Sequence, residues 1–309
     1  MFDVTLILQT EEEGLTKQLI SSQPWFSARA LRMTGIVTFI GIMMVNAMGF
    51  IDHDTKSGMG CGANWPLCNG AVVPTFSNEA VIIEYVHRLL TLAFVVALVI
   101  FLIGALRKRR ESVTWNRMAV GLVTLLLVET AICTAGVLWN VPGSIMAWLA
   151  PIGLAAQGIL LAMVLWLAEH KQSVRLMGNI KHHPLISAVL LLTIFYLYEG
   201  AWLSYVPPTH LMTATYQVSG SVLALLTIIW VSYQVRQGTG LGYGLWPLVA
   251  APFISRFTAQ TVAGDLAIYL WLSWITGAIA YYIIQGDGGL ERHGLNPQPS
   301  AMASKTHGP

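Results

Sequence analysis

The sequence predicts an all-α membrane protein with eight transmembrane helices arranged as two four-helix bundles. Three observations support this fold class. The 309 residues are 55% hydrophobic and only 10% charged, whereas soluble domains carry about 25% charged residues. Eight apolar stretches are long enough to cross about 30 Å of hydrocarbon. A polar segment, residues 169–183, divides these stretches into two sets of four.

The predicted spans are apolar runs separated by polar or turn-forming segments. They lie at 31–51, 82–106, 117–139, 143–168, 184–206, 210–235, 244–264 and 266–285. Residues 31–168 and 184–285 therefore form the predicted N-terminal and C-terminal bundles, in the same orientation, as in a parallel duplication. Residues 1–30 are predicted as a cytoplasmic N-terminal segment, 169–183 as a cytoplasmic linker and 286–309 as a disordered cytoplasmic tail.

Basic residues indicate how these spans are oriented in the membrane. If the N-terminus is cytoplasmic, 14 lysines and arginines fall on the cytoplasmic side and only Lys56 on the other, with Arg88 and Arg256 inside the membrane. The positive-inside rule then predicts that both termini are cytoplasmic, in a bacterial or archaeal cell membrane. Residues 1–30 show no cleavable signal, and a net charge of +2 is too small to indicate a nucleic-acid partner.

Two cysteines lie in the first extracytoplasmic loop, in the stretch CGANWPLCNG. Cys61 and Cys68 are seven residues apart, on the side of the membrane where thiols oxidise. We expect a disulfide that closes a tight loop. Two unpaired or metal-binding cysteines are the alternative, although zinc usually takes four ligands with a shorter cysteine spacing, which is absent here.

The second predicted span begins with a charged cluster, Glu84-Tyr85-Val86-His87-Arg88. Glu84 and His87 share a helix face, about one turn below the surface and next to the cysteine loop. Ionisable groups at this depth are candidates for function. His87 is suited to ligate a heme iron, and Arg88 to pair with a heme propionate or with Glu84. A hydrogen-bonded cluster that only anchors the helix is the alternative.

Other polar residues in or near the spans have more ordinary interpretations. Arg256 is expected to form a structural ion pair with Glu129 or Glu199, which offsets the cost of burying charge. Cys133 is expected to be a small buried side chain. His53 either reaches the region of His87 or is a solvated loop residue.

The stretch KSGMGCGANWPLCNG (56–70), followed by IIEYVHR (82–88), resembles the heme A synthase family. The eight spans and their predicted orientation also match that family. The resemblance implies oxidation of the C8 methyl group of heme O to a formyl group, which gives heme A for cytochrome oxidases. It implies His87 as the ligand of the substrate heme, Glu84 as the acid needed for the oxidation, and Cys61–Cys68 as the loop disulfide. A heme O synthase and a terminal oxidase are the implied partners.

The chain departs from the family in its axial histidines, which the family carries on the second and fourth helix of each half. Span four has no histidine, with Leu149 at the expected place, and span eight has none either. Span six has Gln217-Val218 where His-Arg is expected, and His210 lies about two turns earlier. The heme b that the family holds in its C-terminal half is therefore in doubt for this chain.

Two functions remain open from the sequence. The first is an oxidoreductase of the heme A synthase type. The second is a non-catalytic heme-binding homologue, either a heme-transfer and assembly factor or an accessory subunit of a respiratory oxidase. A small-molecule transporter has little support, and a two-heme electron carrier lacks the histidine pairs it needs. The oligomeric state is left open, a homo-oligomer included.

Overall fold

A computed structural model describes residues 28–63, 67–108, 113–139, 141–169, 184–236 and 262–293. This part of the chain is helical, and its only β-type pairing is an isolated bridge between Cys68 and Ala71. The helices are α1 (Ala28–Asp54), α2 (Glu79–Lys108), α3 (Val113–Trp139), α4 (Gly143–Met146), α5 (Leu149–Glu169), α6 (Pro184–Tyr205), α7 (His210–Arg236) and α8 (Val262–His293).

The predicted integral membrane protein is confirmed at the level of helix length and composition. Within the described ranges, seven helical segments are long and apolar enough to cross a membrane, α4 and α5 together forming one of them. They correspond to seven of the eight predicted spans. The predicted span at 244–264 lies outside the described residues, as do most of the linker and the residues beyond 293.

Local chemistry accounts for where three of the helices begin or break. Asn78 caps α2, since its Oδ1 accepts a hydrogen bond from the Val81 amide at 3.0 Å. Thr209 caps α7 in the same way, through the Met212 amide at 3.2 Å. The predicted span 143–168 is interrupted between α4 and α5, because Pro151 has no amide hydrogen to donate to the turn that precedes it.

The apolar core has two parts that meet along α5 and α8. The first lies between α1, α2, α3 and α5, around Phe101, Leu122 and Leu160. The second lies between α6, α7, α8 and the start of α5, around Leu223 and Leu272. Helix α5 packs against α1, α3, α6 and α8, so it contacts both halves of the chain. The large apolar side chains on the outer faces of α2, α3 and α7 are exposed, as a membrane-embedded surface requires.

A buried polar network joins α1, α5 and α8 where the two halves meet. Gln157 Oε1 accepts hydrogen bonds from Asn46 Nδ2 at 3.2 Å and from the Tyr269 hydroxyl at 2.6 Å. Gln157 and Tyr269 are each only 1% exposed. Buried polar groups are costly unless hydrogen-bonded, so this network fixes how the three helices register against one another.

The structure shows the surroundings of three side chains for which the sequence predicted structural roles: Glu199, Glu129 and Cys133. Glu199 accepts a 2.6 Å hydrogen bond from Ser219 Oγ. Glu129 Oε1 and Asn46 Oδ1 both lie at the surface of Gly153, where a Cβ would be 2.9 and 3.0 Å from them. Arg256, their expected partner, lies outside the described residues. The prediction that Cys133 is buried is wrong: its thiol is exposed on the open face of α3.

Replacing Gln157 with leucine should destabilise the protein although the two side chains are of similar size. The substitution removes the acceptor of the Asn46 amide group in an apolar interior, at about 1–3 kcal/mol for an unsatisfied group. It leaves the Tyr269 hydroxyl only its longer, 3.3 Å contact with the Met43 carbonyl. Thermal unfolding in detergent micelles should show a clearly lowered midpoint. Leu127→Ala on the exposed part of α3 is the control. A Gln157→Leu variant as stable as this control would contradict the role given to the network.

Candidate functional site

The cysteine loop is a compact, internally bonded structure at the junction of α1 and α2. Cys61 and Cys68 form a disulfide, as predicted, and both are almost completely buried against Val81 and Tyr85. The Asn69 amide donates to the Cys61 carbonyl at 2.9 Å. Gly62 has a φ of 66°, a left-handed conformation that glycine adopts without strain. Trp65 and Pro66, in the middle of the loop, lie outside the described residues.

Glu84 holds the loop against the head of α2. Its side chain is buried, and each of its two carboxylate oxygens contacts a different partner. Oε2 accepts a 2.7 Å hydrogen bond from the Cys61 amide, and Oε1 is paired with the Arg88 guanidinium. Both carboxylate oxygens are therefore engaged in joining loop and helix.

Arg88 completes this anchor from the other side. Its Nη1 donates to the Leu67 carbonyl at 2.7 Å, and its Nη2 donates to the Gly62 carbonyl at 2.6 Å. A planar guanidinium with several fixed donors is suited to such multiple contacts. Of the two partners predicted for Arg88, the structure brings Glu84 to it. The other contacts, to backbone carbonyls of the loop, were not foreseen from the sequence.

His87 is one turn from Glu84 on α2, but its ring contacts α1 instead of the cysteine loop. Its Nδ1 is 3.3 Å from Oδ2 of Asp52. The His87 side chain is 25% exposed and that of Asp52 is 13% exposed. The other oxygen of Asp52, Oδ1, is buried without a hydrogen-bond partner among the described residues. Sequence analysis missed Asp52 as a partner of His87, since 35 residues and a loop separate them.

Gly49 leaves space beside the His87 ring. A Cβ at this position of α1 would lie 3.8 Å from Cε1 and 3.9 Å from Nε2 of His87. Because glycine has no side chain, nothing from this residue covers Nε2. The imidazole is thus held at Nδ1 by a carboxylate, and Nε2 has no hydrogen-bond partner among the described residues, which is compatible with a metal-ligating histidine.

The interpretation of His53 as a solvated loop residue is wrong. His53 belongs to helix α1 rather than to the loop, and its ring packs on that of Tyr205 in α6, with 4.1 Å between the centroids. His210, the displaced ligand considered in span six, is the exposed first residue of α7. Gln217, in the same helix, is exposed as well.

No group of three or more histidine, cysteine, aspartate or glutamate side chains in the described ranges has the geometry of a multi-residue metal site. A heme iron differs in this respect, because the porphyrin supplies four of its ligands and the protein needs to add only one or two. A lone histidine backed by a carboxylate is therefore compatible with heme and not with a zinc-type centre.

Replacing Arg88 with methionine should loosen the loop from α2. The change removes two donors to loop carbonyls and leaves Glu84 as an unpaired buried charge, which costs about 3 kcal/mol or more. A lowered thermal midpoint in detergent should accompany faster reduction of the Cys61–Cys68 bond. Arg117→Met is the control, because Arg117 is an exposed arginine on α3. Equal behaviour of the two variants would refute the anchoring role.

No protein-family model matches the chain, but individual relatives do. The heme A synthase of Exiguobacterium sp. is 26% identical over 222 residues, which cover 71% of this chain and 72% of the relative. That of Exiguobacterium sibiricum is 24% identical over 257 residues, covering 82% and 84%. That of Bacillus licheniformis is 30% identical over 178 residues, covering 56% and 58%. Similarity that extends over most of the chain, together with the disulfide loop, makes this protein a divergent relative of the heme A synthases.

Proposed function

We propose that the protein binds heme O through Nε2 of His87 and oxidises the C8 methyl group of the porphyrin to a formyl group. The observation that carries this proposal is the contact between Asp52 and Nδ1 of His87 beside Gly49. A carboxylate at Nδ1 places the ring proton there and leaves the lone pair of Nε2 for the iron. The relatives, each named heme A synthase, support a role in heme A biosynthesis.

The residues around His87 fit a heme in three respects. The imidazole has one nitrogen held and the other open, the glycine beside it leaves Nε2 uncovered, and the ring is partly exposed rather than enclosed in the core. A heme with a single protein ligand supplies an iron with one open position, where oxygen chemistry can take place.

The neighbouring residues would each have a distinct part in the reaction. Asp52 fixes the orientation and tautomer of His87. The disulfide loop, held by Glu84 and Arg88, covers the head of α2 and limits the entry of water. The proton-transfer role that the family resemblance implies for Glu84 remains a prediction, and it requires Glu84 to release one of its two present partners. The contact of Arg88 with a propionate remains a prediction for the same reason.

The proposed source of the substrate and the proposed recipient of the product are both membrane proteins. Heme O is apolar and reaches the site from the lipid, so a heme O synthase is the proposed source and a terminal oxidase the proposed recipient of heme A. The proposed orientation has both termini in the cytoplasm and the disulfide loop outside, where the bond is stable.

A second candidate function is supported by the missing histidines. Helices α5, α7 and α8 carry no histidine in the middle of the membrane, although the family resemblance implies ligands there. A homologue that binds heme O at His87 without oxidising it, and passes it to an oxidase under assembly, would need only the first-half site.

Substituting His87→Ala should abolish heme binding, because it removes the proposed protein ligand of the iron. Asp52→Asn should retain the heme with an affinity about 10–100-fold lower, the usual effect of losing a partner of a metal ligand. Heme titration of the purified variants measures both effects. His210→Ala, at the exposed start of α7, is the matched control and should bind like the unmodified protein. Full heme occupancy in His87→Ala would disprove the ligand assignment.

Co-expression with a heme O synthase, in a host that makes no heme A, separates the two candidate functions. Chromatography of the extracted hemes should show heme A or its hydroxylated precursor when the unmodified chain is present, and neither with His87→Ala. Heme O as the only non-protoheme product, with the unmodified chain well expressed and heme-loaded, would exclude the oxidase activity and leave the transfer function.

A further inference from the structure

In both halves of the chain, a glycine near the end of one helix faces a ring on the next helix. Gly49 of α1 faces the His87 ring on α2, and Gly200 of α6 faces the Tyr216 ring on α7. Each glycine lies five residues before the last residue of its helix. From this shared placement we infer that the two pairs are equivalent positions and that Tyr216 is the counterpart of His87.

The partner of His87 also has a different counterpart in the second half. Three residues beyond the glycine stands Asp52 in α1 and Leu203 in α6. A leucine cannot orient a ligand or accept a hydrogen bond. The second half thus lacks both parts of the carboxylate–histidine pair that the first half has.

Aromatic rings occupy the space between α6, α7 and α8. Tyr216 stacks on Tyr196 with 4.6 Å between ring centroids and 3° between the planes. Tyr196 in turn contacts the edge of Trp271 on α8, at a centroid distance of 6.2 Å. The three side chains form a continuous aromatic row from α7 through α6 to α8.

The tyrosine pair is locked in place by close contacts with glycines. A Cβ at Gly220 would lie 2.7 Å from Cε2 of Tyr196, and a Cβ at Gly200 would lie 3.1 Å from Cε2 of Tyr216. Each ring therefore lies directly on the backbone of the facing helix.

A buried hydrogen bond ties the same two helices together beside the stack. Ser219 Oγ donates to Glu199 Oε2 at 2.6 Å, with both residues less than a tenth exposed. Between residues 184 and 293 the histidines are His210 and His293, the first and last residues of α7 and α8. His210 is exposed at the start of α7, and each ring of the aromatic row contacts another ring of the row.

We propose that the second half of this chain holds no heme, and that the row of Tyr216, Tyr196 and Trp271 forms a solid core in its place. The residues do not fit the heme b that the family resemblance implies for this half. The chain then carries a single heme, at His87. The count of one heme per chain rests on the proposed function. The proposal that the second half is closed, meaning that it holds no heme, does not depend on that function.

The test is the heme-to-protein ratio of the full chain purified in detergent from a heme-producing host. The unmodified protein and Tyr216→Phe should each carry about one heme per chain, with the same absorption spectrum, and His87→Ala should carry none. Phenylalanine keeps the ring stack, so this variant is expected to fold.

The remaining outcomes separate the two proposals. Two hemes per chain, or heme retained by His87→Ala, would overturn the closed second half. A Tyr216→Phe variant that is folded by circular dichroism but has an altered heme spectrum or content would overturn it as well. An unmodified chain that binds no heme at all would refute the proposed function, while it would agree with a second half that has no heme site.

Discussion

The paired charges of Glu84 and Arg88 determine the arrangement of the loop end of the first half. A carboxylate and a guanidinium this deeply buried must satisfy each other and find further hydrogen bonds, and they find them on the loop backbone at Cys61, Gly62 and Leu67. The loop is thereby fixed over the first turns of α2. With Glu84 and Arg88 directed toward the loop, the intervening His87 is directed toward α1, where Asp52 and Gly49 lie.

The two halves of the chain use similar helix pairs for different purposes. In the first half, a glycine leaves a histidine nitrogen open, and a carboxylate holds the opposite side of the ring. In the second half, glycines let two tyrosine rings lie flat between the helices and fill the interior. The network of Asn46, Gln157 and Tyr269 connects the halves. Even without a heme, the second half would be needed to stabilise the first half, since α8 packs against α1 and α5.

The sequence was sufficient for the features that depend on local pattern. Apolar length located seven of the eight predicted spans, and the spacing of Cys61 and Cys68 indicated their bond. The pairing of Asp52 with His87 could not be foreseen, because it depends on how α1 and α2 cross rather than on any short motif. The helix break before Pro151 could have been predicted from the proline, but residues 143–168 are predicted as one span because the run is apolar throughout. Burial of Cys133 was inferred from apolar neighbours, but in a membrane such neighbours face lipid as readily as a core. Alignment by motif placed Gln217 at the ligand position, whereas the glycine contacts place Tyr216 there.

The most direct test of a single histidine-bound heme is an experimental density map of the protein purified from cells that produce heme O. The account predicts one macrocycle, with its iron next to Nε2 of His87 and with Asp52 on the far side of the imidazole. It also predicts stacked rings of Tyr196 and Tyr216 between α6 and α7. A macrocycle held away from His87, or a second one displacing the tyrosine stack, would contradict it.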